Sequence, residues 1–259
     1  MKSAVALQAS YTKMMAPLAD TLLEVAQITP GEWVLDVGCG TGDTTLMAAR
    51  AARPGSVVGI DLDGEALARA RERGARQDNL TLICGDAATQ GYGPQGFDVV
   101  ISRLGSMHFA EPVAAYAHLR EATLPGGRLA IVVAAAPERN DWFWLPREVV
   151  GRRLPLPPVQ GGPFAMSDEA LVRRILGDAG WIDVAFETFE RPLWVGDTVA
   201  QAVDFFARTD GARVRPALGE EGFAALLEEL AEVFAPHEGP AGVALRGAFR
   251  VATARAQVP

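Results

Sequence analysis

The residues best suited to binding a ligand through the backbone lie between positions 34 and 43, where the chain reads VLDVGCGTGD. The apolar start of this segment predicts a buried strand that ends at Asp36, and Gly38, Gly40 and Gly42 open the turn into a helix. Glycine tolerates a positive φ and lets the backbone approach a bound molecule closely. Ligands of open α/β sheets bind beyond the carboxyl ends of the strands, so the segment predicts a small-molecule site.

Two classes of cofactor compete for this turn. A dinucleotide fingerprint reads Gly-x-Gly-x-x-Gly and holds a pyrophosphate at the helix N-terminus. Here the third glycine, Gly42, comes one residue early, and Asp43 occupies the position where the fingerprint needs Gly or Ala. Asp36 and Asp43 would repel a pyrophosphate, whereas S-adenosylmethionine has no phosphate and carries an ammonium and a sulfonium. Spacing and charge therefore favour S-adenosylmethionine, and a nicotinamide dehydrogenase is the least favoured interpretation.

The side chain best placed to move a proton is His108, in the segment SRLGSMHF that follows a predicted strand. Histidine titrates near neutral pH and can take a proton from an acceptor hydroxyl. The alternative is that His108 only packs or forms a hydrogen bond at the rim. His118 falls in a predicted helix, where we expect it to be solvated.

Aromatic side chains form a second group of candidates, in the proline-rich segment 137–165. Trp142, Phe143 and Trp144 are consecutive there, and we expect them in a loop that follows a sheet strand. Aromatic side chains are common pocket walls, so Trp142 and Trp144 are candidate contacts for an apolar acceptor. Packing of a long connection is the alternative.

The elements that must position these residues alternate between apolar runs and helical patterns, which is typical of a parallel sheet with crossover helices. The predicted strands cover residues 33–38, 56–61, 80–86, 97–103, 127–135, 182–193 and 249–256. Helices are predicted at 43–52, at 64–74, at 167–179 with Ser167 as N-cap, and near 197–208 and 219–235. Continuous Val, Ile and Leu runs indicate strands covered on both faces. The prediction is an α/β, Rossmann-like, doubly wound seven-stranded sheet.

Composition excludes several classes of partner. The chain has 259 residues and a net charge of −8, and its basic residues are scattered, which disfavours nucleic acid. No apolar run approaches the roughly 18 residues needed to cross a bilayer, and the amino terminus does not read as a signal peptide. The two cysteines, Cys39 and Cys84, do not form a disulfide framework and are expected to pack at strand ends. The sequence contains neither a Cys-x-x-Cys pair nor a histidine cluster, so we do not expect a metal site. The low cysteine content indicates a cytoplasmic protein.

With these motifs in order, the chain resembles the class I S-adenosylmethionine-dependent methyltransferases. The matching segments are VLDVGCGTG (34–42), GIDLD (59–63), GDA (85–87), FDVVISR (97–103) and LPGGRLAIVV (124–133). The core resemblance covers residues 31–135, and a looser one to bacterial small-molecule methyltransferases of the ubiquinone/menaquinone-methylase type covers most of the chain.

The resemblance implies a set of site residues. Asp61, 19 residues beyond Gly42, would accept the ribose hydroxyls, and Leu62 would lie against the adenine. Asp86 and Ala87 would contact the adenine amino group and ring edge. The methionine end would be bordered by the backbone of three residues of the glycine turn, by the end of the fourth strand and by a tyrosine of an amino-terminal helix. These are, in that order, Gly38, Cys39 and Gly40, then Ser102 and Arg103, then Tyr11. Simple capping by Asp61, a turn role for Asp86 and an N-cap role for Asp43 are the alternatives.

The resemblance also implies an organisation and an activity. Residues 1–30 would form a helical lid, 31–136 the cofactor-binding core, and 137–259 an acceptor cap, helices and last strands of the same domain. The expected reaction is methyl transfer to a small-molecule hydroxyl, with carbon or nitrogen as further acceptors, yielding S-adenosylhomocysteine. The alternatives are methylation of RNA or protein, and use of the cofactor without methyl transfer. We expect a monomer or a homodimer.

Overall fold

The protein is described by a computed structural model that covers residues 2–93 and 96–258. Met1 and Pro259, the outer limits of the predicted domains, lie outside these residues. The described chain divides into two compact units. One comprises the described residues within 1–17, 136–159 and 190–248; the other comprises those within 18–135, 160–189 and 249–259. The predicted domain boundaries stay a prediction.

Helices and strands alternate along most of the chain. The strands are β1 Val34–Val37, β2 Val57–Asp61, β3 Leu80–Cys84, β4 Phe97–Arg103, β5 Thr123–Ala134, β6 Trp181–Gly196, β7 Glu238–Gly239 and β8 Gly242–Ala256. The helices are α1 Lys2–Met15, α2 Pro17–Ala26, α3 Asp43–Ala52, α4 Gly64–Arg73, α5 Pro112–Glu121, α6 Asp141–Gly151, α7 Glu169–Asp178, α8 Val199–Arg208 and α9 Gly211–Phe234. A single 3-10 turn, Ser106–His108, follows β4.

The sheet has the strand order β3-β2-β1-β4-β5-β8-β6, and the short β7 pairs with β8. From β3 to β5 all neighbouring strands are parallel, and β8 joins β5 in the antiparallel direction. The mixed α/β architecture confirms the predicted fold class, with eight strands instead of seven because of β7. The strand order reverses between β1 and β4, so the turns after these two strands open a crevice at the carboxyl edge.

The core of the larger unit explains the apolar strand sequences. Every residue of β1 is buried, as is β5 from Leu129 to Ala134. The adjoining helix α5 inserts Tyr116 and Leu119, which have no exposed surface. Arg128 of β5 donates to the carbonyls of Ala26 and Gln27 at the carboxyl end of α2. Buried on both sides, the strands are held rigidly enough to fix the loops that follow them.

The predicted N-cap of α7 and the predicted loop around Trp142 are both wrong. The N-cap of α7 is Asp168 and not Ser167, because the Asp168 carboxylate accepts from the backbone N–H of Ala170. The aromatic residues around Trp142 lie in a helix, α6, and not in a loop. The prolines of this segment suggest a break, yet α6 continues through Pro146, which lacks the backbone N–H for one intrahelical hydrogen bond.

Candidate functional site

The glycine turn has a backbone that only glycine adopts easily. Gly38, Gly40 and Gly42 have φ of 70°, 53° and 85°. A Cβ on Gly38 would lie 2.6 Å from Cα of Gly105, so the turn after β1 packs directly on the turn after β4. A Cβ on Gly40 would meet no atom of the described chain within 4 Å. Gly40 therefore borders open space into which a ligand can approach its backbone.

Asp61 connects the end of β2 to this turn. Its Oδ2 accepts from the backbone N–H of Gly40 at 2.7 Å, and its Oδ1 accepts from Asp63 N–H at 2.9 Å. Each carboxylate oxygen has two lone pairs, so both retain acceptor capacity for a ligand hydroxyl. Asp63, and not Asp61, caps helix α4, since its side chain accepts from Glu65 and Ala66 N–H. Asp61 thus belongs to the glycine turn.

A second carboxylate, Asp36, lies beneath the turn and is only 1% exposed. Thr45 of α3 donates to its Oδ2 at 2.6 Å. Burial raises the pKa of Asp36 to about 7, against the lowering effects of the Thr45 hydrogen bond and of Arg103. The carboxylates of Asp61 and Asp43 raise the pKa further. Asp36 therefore titrates near neutral pH.

Asp43 and two arginines form an ion-pair cluster beside the turn. Asp43 is the first residue of α3 and not its N-cap, which is Gly42. Arg73 of α4 bonds Asp43 at 2.5 Å and donates to the Thr41 carbonyl, while Arg103 lies 3.5 Å from Asp43. The Arg103 side chain is 14% exposed. The cluster ties the glycine turn to α4 and to the end of β4; Arg73 escaped the sequence analysis because it has no motif of its own.

The turn after β4 is held by a chain of hydrogen bonds. The Ser102 hydroxyl donates to the Val37 carbonyl at 2.7 Å and accepts from Ser106 N–H. The Tyr116 hydroxyl donates to Ser106 Oγ at 2.9 Å. The hydroxyl hydrogen of Ser102 is therefore already bonded to the backbone of β1. The turn carries His108, which is exposed at its end. Leu104, in the same turn, has the rare φ of 60°.

The predicted adenine contacts follow β2 and β3, whose ends are neighbours in the sheet. Leu62 is 73% exposed, an unusual position for a large apolar side chain. Asp86 is exposed and accepts from Ala88 N–H, while Ala87 is buried. The turn geometry of Asp86 leaves its second carboxylate oxygen available, so the turn role and a ligand role are compatible. Leu62, Asp86 and Ala87 lie in the same unit as the glycine turn.

The two cysteines lie in different surroundings. Cys39 is buried in the glycine turn, and burial together with the carboxylates of Asp36 and Asp61 raises the pKa of its thiol. Cys84 ends β3 and is exposed, with its sulfur 3.7 Å from the Leu62 carbonyl, so the prediction that it packs at this strand end is wrong. Within the described ranges, no group of three or more His, Cys, Asp or Glu side chains is arranged to hold a metal ion. Over the same residues, no helix combines the length and apolar character required to span a bilayer.

Three predicted site residues lie in the other compact unit. Tyr11 is in α1 and 40% exposed, and Met15, four residues later, is buried. Trp142 and Trp144 are partly buried in α6. Their indole N–H groups donate to Asn140 Oδ1 and to the Glu148 carboxylate. The roles of these three residues toward cofactor or acceptor stay predictions.

The groups that border the glycine turn fit S-adenosylmethionine. Asp61 offers acceptor oxygens, Gly40 borders open space, and Leu62 offers an apolar surface. Asp43 is paired with Arg73 and Arg103, so the carboxylate of Asp61 is the charge that suits ribose hydroxyls or a cationic group and opposes a pyrophosphate. The residues present are therefore compatible with an adenosyl group joined to a cation.

Comparison with known proteins agrees with this chemistry. Residues 34–127 match the family model described as a methyltransferase domain. The aklanonic acid methyltransferase DauC of Streptomyces sp. (strain C5) is 31% identical over 167 residues, which cover 62% of this chain and 74% of that protein. The chain belongs to the class I S-adenosylmethionine-dependent methyltransferases, as the motifs predict.

One further relative and one solved structure resemble the chain, and the name of neither identifies an acceptor. An uncharacterized protein of Mycobacterium tuberculosis is 37% identical over 122 residues, which cover 46% of this chain and 43% of that protein. The alignment thus spans less than half of that relative. A provisionally assigned methyltransferase of Bacillus halodurans has the same fold, with a TM-score of 0.61, 20% identity and coverage of 93% of this chain and 99% of that one.

Proposed function

We propose that this protein transfers the methyl group of S-adenosylmethionine to a small-molecule acceptor, with a hydroxyl oxygen as the favoured atom and carbon or nitrogen as the alternatives. The observation that carries the proposal is the link between Asp61 and Gly40. One carboxylate holds the glycine turn at 2.7 Å and keeps free lone pairs at the edge of open space. Such an acceptor suits the vicinal hydroxyls of a ribose.

The remaining cofactor contacts follow from the same unit. Leu62 and Ala87 would cover the adenine, and Asp86 would accept from its amino group. The backbone of Gly38, Cys39 and Gly40 would line the methionine end. Ser102 would border that end through its backbone, because its hydroxyl already bonds Val37 and Ser106. Tyr11 is proposed to reach the methionine carboxylate from α1.

The reaction needs little from the protein besides alignment. Bound S-adenosylmethionine supplies an activated methyl group on a sulfonium, and the product is S-adenosylhomocysteine. Holding an acceptor in a reactive position contributes several kcal/mol, up to roughly 7–11 in ideal cases. Exposed at the end of the turn after β4, His108 would take the proton of an acceptor hydroxyl. Arg103, Trp142 and Trp144 are the proposed acceptor contacts.

The class of acceptor is proposed from charge and from one relative. The net charge of −8 disfavours nucleic acid, whose phosphates bind to positive surfaces. The Streptomyces relative is named for aklanonic acid, a small molecule. Both favour a small-molecule acceptor. We further propose that the protein is a cytoplasmic monomer or homodimer. Methylation of RNA or protein, and use of the cofactor without transfer, remain the competing hypotheses.

The first test pairs two substitutions that remove the same charge. Asp61→Asn loses one acceptor oxygen and turns an amide N–H toward a backbone donor, so we expect S-adenosylhomocysteine to bind about 10- to 100-fold more weakly. Asp63→Asn removes an equal charge two residues away, and asparagine caps a helix about as well as aspartate. Titration calorimetry of both variants should show loss of affinity in Asp61→Asn alone.

Transfer is then measured with methyl-labelled S-adenosylmethionine and a fractionated extract of the host. Label in small molecules, lost in Asp61→Asn and kept in Asp63→Asn, is the expected result. Label confined to macromolecules would move the function to RNA or protein. Tight binding without label in any fraction would favour a role without methyl transfer.

A further inference from the structure

The loop after β3 begins with a tight turn at Asp86. The Asp86 side chain accepts from Ala88 N–H at 2.9 Å, and its carbonyl accepts from the N–H groups of Thr89 and Gln90 at 3.1 and 2.9 Å. These bonds orient the Asp86 carboxylate relative to its own backbone. They do not anchor the loop to the rest of the protein, and Thr89 is exposed.

Tyr92 supplies the first anchor. Its hydroxyl donates to the Ala87 carbonyl at 3.1 Å. Its ring packs edge-on against buried Phe97 of β4, with 5.5 Å between ring centroids. Burial, followed by the charge of Asp86, raises the pKa of Tyr92, so the hydroxyl remains a donor at neutral pH. Ala87 is therefore fixed to β4 through Tyr92.

His118 supplies the second anchor, contrary to its predicted solvated position. It is partly buried, and its Nε2 lies 2.8 Å from the Gln90 carbonyl. A carbonyl only accepts, so Nε2 carries the proton. The His118 ring also lies 5.8 Å from the Tyr92 ring, centroid to centroid. His118 belongs to α5, which Tyr116 and other buried residues hold in the core.

We propose that His118 and Tyr92 are positioning residues that hold Asp86 and Ala87 for recognition of the purine, and thereby set the selectivity for adenine. The inference rests on the proposed function. Each of the two side chains bonds a carbonyl of the turn that Asp86 starts, Tyr92 at its second residue, Ala87, and His118 at its last residue, Gln90. The 6-amino group of adenine donates a hydrogen bond to a carboxylate, whereas hypoxanthine has at the same position a carbonyl oxygen, which a carboxylate repels. Selectivity between the two bases therefore depends on where the loop holds Asp86.

The test compares three variants by titration calorimetry with S-adenosylhomocysteine and with S-inosylhomocysteine, its 6-oxo analogue. His118→Phe keeps a ring beside Tyr92 and removes the donor. His118→Gln restores an N–H donor on a shorter side chain. Thr123→Val is the matched control, because it removes another side-chain hydrogen bond to α5, from Thr123 at the start of β5 to the Leu119 carbonyl.

We expect His118→Phe to weaken binding of S-adenosylhomocysteine by about three- to tenfold, the effect of one hydrogen bond, and to weaken the 6-oxo analogue less. The preference for adenine then falls in His118→Phe, is kept largely by His118→Gln, and is unchanged in Thr123→Val. If His118→Phe does not fold, Tyr92→Phe, which removes one oxygen, is expected to lower the preference in the same way.

The outcomes separate the inference from the proposed function. If the wild-type protein binds S-adenosylhomocysteine and the base preference survives in His118→Phe and in Tyr92→Phe, the positioning role is wrong and the proposed function stands. An equal loss of preference in Thr123→Val would also overturn it, since any loosening of α5 would then suffice. If the wild-type protein binds neither compound, the proposed function and the inference fail together.

Discussion

Replacing Asp36 by asparagine should change how the stability of the protein depends on pH. The Asp36 carboxyl is buried and has a pKa of about 7, against an ordinary value of 3.8. Between these two values the folded protein keeps a proton that the unfolded chain has released. Folding is therefore favoured below pH 3.8, and the stability that this proton contributes is lost as the pH rises toward 7. Asparagine does not titrate and removes this dependence.

The size of the effect follows from the pKa. One pKa unit corresponds to about 1.4 kcal/mol, so a rise from pH 5 to pH 8, which crosses about two units, costs the wild-type protein about 3 kcal/mol at this site. The free energy of unfolding of Asp36→Asn, relative to wild type, should increase by that amount over the same range. Urea denaturation at pH 5, 6, 7 and 8 measures it.

Thr45→Val should change the pH dependence of stability in the opposite direction to Asp36→Asn. The Thr45 hydroxyl donates to Asp36 and lowers its pKa, which means that it stabilises the ionised carboxylate. We expect Thr45→Val to lose more stability at pH 8 than at pH 5. If the difference between Asp36→Asn and wild type is the same at pH 5 and pH 8, the folded protein does not hold a proton on Asp36 and the reasoning is refuted.

Three further predictions concern the turns and the scaffold. Gly38→Ala should reduce the free energy of unfolding by more than about 3 kcal/mol, because its Cβ would lie 2.6 Å from a backbone atom. Gly40→Ala should cost only about 1–2 kcal/mol of backbone strain, yet weaken S-adenosylhomocysteine binding. Equal losses of the two variants in urea denaturation would contradict this. Arg128→Met should cost about 3 kcal/mol in the same assay, since it leaves the carbonyls of Ala26 and Gln27 without their donor and Glu32 without its opposite charge. A loss below about 1 kcal/mol would argue against it. With an identified hydroxyl acceptor, His108→Gln should lower kcat by at least about 100-fold, and an unchanged kcat would remove His108 as the base.

Much of the parallel core could be predicted because its signals are local. The predicted limits of α3 and β4 agree with the structure at both ends, and β2 differs by one residue. A strand covered on both faces is mostly apolar, and a turn with positive φ favours glycine. Both constraints act on consecutive residues, so they are visible in one segment of the chain.

The sequence alone determined the family, the order of the elements in the parallel core and the residues of the glycine turn. Only the tertiary structure decided which partners surround them. Arg73 reaches Thr41 and Asp43 across 30 residues or more, and His118 reaches Gln90 across 28. Such bonds depend on the packing of α4 and α5 against the sheet, and a partner distant in sequence leaves no pattern in either segment. The same holds for Asp36, since its type is clear from the motif but its pKa depends on burial by neighbours that the fold assembles.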